Sequence, residues 1–82
     1  MKGEIVERVV TYVAKAIAED PEAVRVTMIE EGPDEVLAEV RTAKRDMGRV
    51  IGRRGRVANA FRPGALAAGA EEGIRAGVEF VD

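Results

Sequence analysis

The sequence predicts a single two-layer α+β domain spanning residues 1–82. Three observations lead there. Apolar residues recur at helical spacing near the amino terminus. Two short runs then alternate apolar and polar residues at strand spacing. The second half returns to helical spacing and closes on a last alternating run. The element order read this way is helix, strand, strand, helix, helix, strand.

From Glu4 to Glu19 the residues Ile5, Val9, Val13, Ala16 and Ile17 fall on one helical stripe, which Val6 and Val10 widen. Asp20-Pro21 ends this helix, because proline cannot continue it. Its valines lower intrinsic propensity, so the helix depends on packing. Val24 to Glu30 sets Val24, Val26 and Met28 against Arg25 and Thr27, the pattern of a half-buried strand. Gly32-Pro33-Asp34 punctuates a turn. Val36, Ala38 and Val40 then alternate with Glu39 and Arg41, and the two strands predict an antiparallel hairpin. Ile29 and Leu37 stand outside the alternation.

Lys44 to Ile51 reads as a short helix with Met47, Val50 and Ile51 on one face and Asp46 suited to its first turn. Gly52 to Gly55 interrupts it. A third helix starts at Arg56, with Val57, Ala60 and Phe61 as its apolar face, and runs to about Ala70. Pro63-Gly64 falls in its middle. An interior proline costs roughly 3 kcal/mol, so a kink or break is expected near Arg62. Gly69 weakens the same segment. Ile74 to Val81 forms the last strand, with Val78 and Phe80 on one side.

Composition narrows function. The chain has no cysteine, histidine, serine or glutamine. A disulfide framework, a thiolate metal site and the usual Ser/His/Asp or Cys/His catalytic sets are therefore ruled out. A non-enzymatic protein without metal or cofactor is expected. No apolar run approaches the length of a membrane span, and acids stand where a signal peptide needs an apolar run, so the chain reads as cytoplasmic. Net charge is −2, but it is unevenly spread. Between Arg41 and Arg62 lie eight bases and one acid, Asp46, while the remaining 60 residues hold five bases and fourteen acids. A small acidic body with one basic segment points to a polyanionic ligand.

The centre of that segment is Val50-Ile51-Gly52-Arg53-Arg54-Gly55. A bare GxxG arises about once by chance in a chain this rich in glycine and carries little. Its setting carries more. The glycines permit close approach of another backbone, the helix that follows offers unpaired N–H groups, and arginine forks match phosphate oxygens. Arg53, Arg54 and Arg56 also crowd the positive end of a helix dipole, a poor choice for stability that an anionic partner reverses. GxxxxGK[ST] and GxGxxG are both absent. The aromatics Tyr12, Phe61 and Phe80 all read as core or near-core, which argues against a stacking platform of the RRM or OB type.

At "VIGRRGRVANAF" the chain resembles the KH domain family, which carries an apolar pair, GxxG, and an apolar residue two positions on. The element order resembles the type II KH arrangement. "DMGRVIGRRGRVANAFR", "AEDPEAVRV" and the closing "VEFVD" extend the likeness to small bacterial KH proteins over nearly the whole chain. Pro63-Gly64 departs from the family's uninterrupted helix. The resemblance implies a mixed three-stranded sheet packed on three helices. It implies a groove for about four nucleotides of single-stranded RNA. Gly52, Arg53, Arg54 and Gly55 would hold the RNA backbone, with Val50, Ile51 and Val57 flooring the groove and Arg49, Arg56 and Lys44 adding phosphate contacts. It further implies a homodimer, or pairing with a larger KH-containing protein, and a role as an RNA chaperone or post-transcriptional regulator linked to cell shape. A module that mainly recruits such a partner is the alternative, and single-stranded DNA in place of RNA stays open.

Overall fold

The computed structural model describes residues 2–48 and 56–81, with the side chains of 56–58 set aside. Its fold is α+β, with a mixed three-stranded sheet whose one face carries the helices.

Helix α1 spans Glu4–Ile17 and buries Val6, Val10 and Ala14, one residue per turn, so its core face centres on the widening valines and Ala14 rather than on the expected stripe, of which Ile5, Val9, Val13 and Ile17 are half-buried and Ala16 is exposed. It stops at Ile17, because Ala18 turns extended (φ −69°, ψ 141°) ahead of a short 3-10 turn at Pro21–Ala23. Strand β1, Arg25–Gly32, and strand β2, Glu35–Arg41, form the antiparallel hairpin, pairing Val26 with Val40 and Met28 with Ala38. Ile29 and Leu37 pair directly and lie half-buried on the face away from the helices, which explains why they stood outside the inward alternation. The chain then crosses over and returns as β3, Arg75–Phe80, parallel to β2 in the order β1-β2-β3. Parallel pairing requires such a long crossover. The crossover contains the basic segment beyond Arg41, the last residue of β2.

The middle helix expected over Lys44 to Ile51 opens instead as a 3-10 turn, Lys44–Asp46, followed by helical Met47 and Gly48. Its remainder lies outside the described residues.

Helix α2 spans Arg56–Glu72 and passes through Pro63 without a break, contrary to the interruption expected near Arg62. The reason is where the proline points. Phe61, Ala65 and Ala68 face the core, whereas Asn59, Arg62 and Pro63 are exposed. The lost backbone bond falls on the solvent side, where water can satisfy the freed carbonyl, and packing holds the inner face. The helix ends at Gly73, whose φ of 71° favours glycine, and Ile74 N–H donates back to the Gly69 carbonyl at 2.9 Å.

The core joins α1, the inner face of β2 (Val36, Ala38, Val40), Val78, and the inner face of α2. Phe61 meets Phe80 edge-to-face, with centroids 5.1 Å apart. Tyr12 is not core or near-core as expected: it is 69% exposed. It sits about 200° around the helix from Val10, nearly opposite the buried stripe.

α1 and α2 pack antiparallel, with Val9 beside Gly64 and the end of α2 at the start of α1. There Glu72 supplies what α1 lacks. The α1 N-cap is Gly3, which has no side chain to accept the free N–H groups. The Glu72 carboxylate accepts the N–H of Gly3 and Ile5 at 3.0 Å and of Val6 at 3.2 Å. Desolvation pushes the Glu72 carboxyl upward, but the N–H donors of Val6, Gly3, Ile5 and Glu4 together outweigh it and hold the group below its ordinary value.

Two predictions follow from this packing. Gly69 approaches β3 so closely that an added Cβ would lie 2.8 Å from the Ile74 carbonyl oxygen and 3.1 Å from Ala76 Cβ. Gly69→Ala should therefore destabilise by about 1–3 kcal/mol despite alanine's better helix propensity. At exposed Gly64 the added Cβ would make only ordinary contact, 3.7 Å from Val9 Cγ1, and Gly64→Ala should stabilise by about 0.5–1 kcal/mol. Denaturant titration of the pair checks both signs. Second, because the Glu72 carboxyl is lowered in the fold, its contribution is present above the unfolded carboxylate pKa and lost as pH falls through the folded one. Glu72→Gln should lower the melting temperature near neutral pH and flatten the acid side of a stability-versus-pH curve; an unchanged acid limb would show that the cap contributes nothing.

Candidate nucleic-acid interface

The basic segment begins where β2 ends. Arg41 is exposed at the end of that strand, and Thr42 and Ala43 lead into the turn Lys44–Asp46. Lys44 and Arg45 are exposed on this turn. Arg45 lies 3.8 Å from the Asp20 carboxylate, an exposed pair of little energetic weight. Asp46, between them and the glycine loop, is buried at 1% exposure. Its Oδ1 accepts the Glu19 N–H at 3.1 Å and its Oδ2 the Asp20 N–H at 3.0 Å. A buried carboxylate is costly unless its oxygens are hydrogen-bonded, and these two amides meet that requirement. The turn is thereby fastened to the exit of α1. Asp46 was expected to act on a helix dipole; it acts through direct backbone bonds instead.

Charge follows from this burial. The segment's single acid is withdrawn from its surface and committed to backbone donors, while Arg41, Lys44, Arg45 and Arg62 are all exposed. Arg62 donates to Asn59 Oδ1 one turn back on α2, which steadies it on the outer face.

Of the residues assigned to the site from sequence, Lys44 is described in full and is exposed. Arg56 and Val57 open α2, with their side chains outside the described set. Arg49, Val50, Ile51, Gly52, Arg53, Arg54 and Gly55 lie outside the described residues. The antiparallel helix pair nonetheless sets the frame. The exit of α1, the turn Lys44–Asp46 and the start of α2 belong to one end of the molecule, and the acidic Glu71-Glu72 pair ends α2 at the other. Sequence reasoning noted Asp46 as the lone acid in a run of eight bases but did not foresee its burial or its two backbone bonds.

The shallow hollows along α1 suit no small substrate. One is lined by Ile5, Arg8, Val9, Tyr12 and Val13, and another by Glu4, Glu7, Arg8, Thr11 and Tyr12. Among the described residues no group of acids gathers in a metal-binding cluster, and no helix is long and apolar enough to cross a membrane.

Comparison with known proteins agrees with this geometry. The family model described as the KhpA/KhpB KH domain matches residues 7–80. An "RNA-binding protein KhpA" of Caldanaerobacter subterraneus subsp. tengcongensis is 39% identical over 96% of this chain and 99% of its own length. A protein of the same name from Leifsonia xyli subsp. xyli is 44% identical over 88% of this chain and 91% of its own. Another, from Aquifex aeolicus, is 36% identical over 90% of this chain and 92% of its own.

Proposed function

Because the chain belongs to the KhpA/KhpB KH domain family, we propose that it is a non-enzymatic, cytoplasmic single-stranded RNA-binding protein whose Gly52–Gly55 loop grips the RNA backbone. One observation carries this reading. Among the described residues of the basic segment, Arg41, Lys44, Arg45 and Arg62 stand at the surface while its acid, Asp46, is buried. An exposed cationic stretch on an otherwise acidic body concentrates a polyanion at one place and repels it elsewhere. Arg53 and Arg54 hold phosphates as bidentate forks, Gly52 and Gly55 let the nucleic-acid backbone approach, and Arg49, Arg56 and Lys44 add flanking phosphate contacts. Val50, Ile51 and Val57 floor the groove beneath the bases. A grip on the backbone with an apolar floor suits many sequences, as an RNA chaperone or post-transcriptional regulator requires. The names carried by the relatives support RNA over DNA.

A second reading is that the domain pairs with another copy or with a larger KH-containing protein. It is favoured by the open face of the sheet, where half-buried Ile29 and Leu37 lie beside Gly77. Such a surface is separate from the basic segment, so the two readings come apart in one experiment.

Arg53→Asp combined with Arg54→Asp should leave the fold intact and abolish binding of single-stranded RNA. Wild-type affinity should fall linearly on a log–log plot against salt, with a slope of about −0.7 per phosphate neutralised. A double variant that binds RNA normally would refute the assigned site. Lost RNA binding with partner binding retained would show that the two surfaces are distinct.

A further inference from the structure

We infer that Asp46 is the positioning residue of the RNA site, the group that sets the basic segment in place before RNA arrives; this rests on the RNA-binding reading above. Among the described residues it is the charged side chain that is buried. Burial costs the carboxylate its hydration, and the two amide bonds offset that cost. What the carboxylate offers is geometry. Its two oxygens take two consecutive amides, Glu19 at 3.1 Å and Asp20 at 3.0 Å, which fixes both the place and the rotation of the turn. Those amides lie just beyond the end of α1, where the chain has left the helix. Lys44 and Arg45 share the turn with Asp46, and Gly52 follows six residues on.

The segment needs such a tether. Lys44 and Arg45 are neighbours on the turn and repel one another, and without an anchor they would spread apart in the free protein. RNA would then have to order them on binding, and that ordering is subtracted from affinity. Asp46 orders the entry to the segment in advance. It does so with a negative charge that backbone donors, rather than the arginines, engage at these two bonds.

The test uses the full chain and an oligouridylate probe, at a temperature where circular dichroism shows each variant folded. Asp46→Asn keeps one acceptor oxygen and loses the second; it should bind roughly tenfold more weakly. Its salt slope should match wild type, because the same phosphates are still contacted. Glu19→Pro removes the N–H that donates to Oδ1 while leaving the carboxylate in place, and the extended backbone of Ala18 suits a residue before proline. It should weaken binding in the same way and serves if Asp46→Asn does not fold. Glu72→Gln, which loosens the opposite end of the helix pair, should bind RNA as wild type does. Wild-type affinity in folded Asp46→Asn and Glu19→Pro would overturn the inference. So would equal weakening in Glu72→Gln, which would reduce Asp46 to general stability. Failure of the wild-type protein to bind the probe would refute the RNA reading itself and the inference with it.

Discussion

The Asp46 carboxylate, accepting the amides of Glu19 and Asp20, joins the end of α1 to the start of the crossover. The fold depends on that join because its parallel β2–β3 pair obliges the chain to leave the sheet and come back. The returning stretch carries most of the chain's bases. Glu72 performs the matching task at the other end, capping the start of α1 from the last residue of α2. The two carboxylates grip the two ends of one helix. Both spend their charge on backbone N–H groups.

This arrangement connects stability to function. Backbone amides are satisfied by acids drawn from the crossover, so helix and crossover are fixed together. The exposed bases bring no comparable gain to the fold: the Arg45–Asp20 pair is exposed and wide at 3.8 Å. Their concentration makes sense as an interaction surface, and phosphate is the partner that suits guanidinium best. The small residues of α2 have a structural role beside this. Ala65, Ala68 and Gly69 let the helix lie close on β3, leaving Phe61 and Phe80 to fill the space nearer its start.

Periodic burial made much of this readable from sequence. Val6 and Val10, which widen the expected helical stripe, are buried, although the core face turns toward Ala14 and away from Ala16, and Val36, Ala38 and Val40 face inward on alternate positions of β2. Periodicity says less about single residues at an edge. Tyr12 was placed near the core by residue type, but its angle on the helix puts it in solvent. Pro63 was read as a break because propensity ignores which side of a helix a proline occupies; on the exposed side the core contacts prevail. Asp46 and Glu72 were illegible for a different reason. Their partners are main-chain amides, which every residue but proline supplies, so no pairing pattern appears in the sequence. For the candidate site, the charge imbalance was visible, whereas the backbone bonds that fasten the turn Lys44–Asp46 to the exit of α1 were not.

Amide chemical shifts recorded while the isotope-labelled protein is titrated with oligouridylate test the basic-segment site most directly. Binding there predicts the largest changes at Lys44, Arg45, Gly52, Gly55, Arg56 and Val57, with α1's exposed flank at Tyr12 and the open sheet face at Leu37 and Glu79 undisturbed. Changes centred on Tyr12 or on Leu37 and Glu79, with Gly52 and Gly55 unmoved, would contradict it.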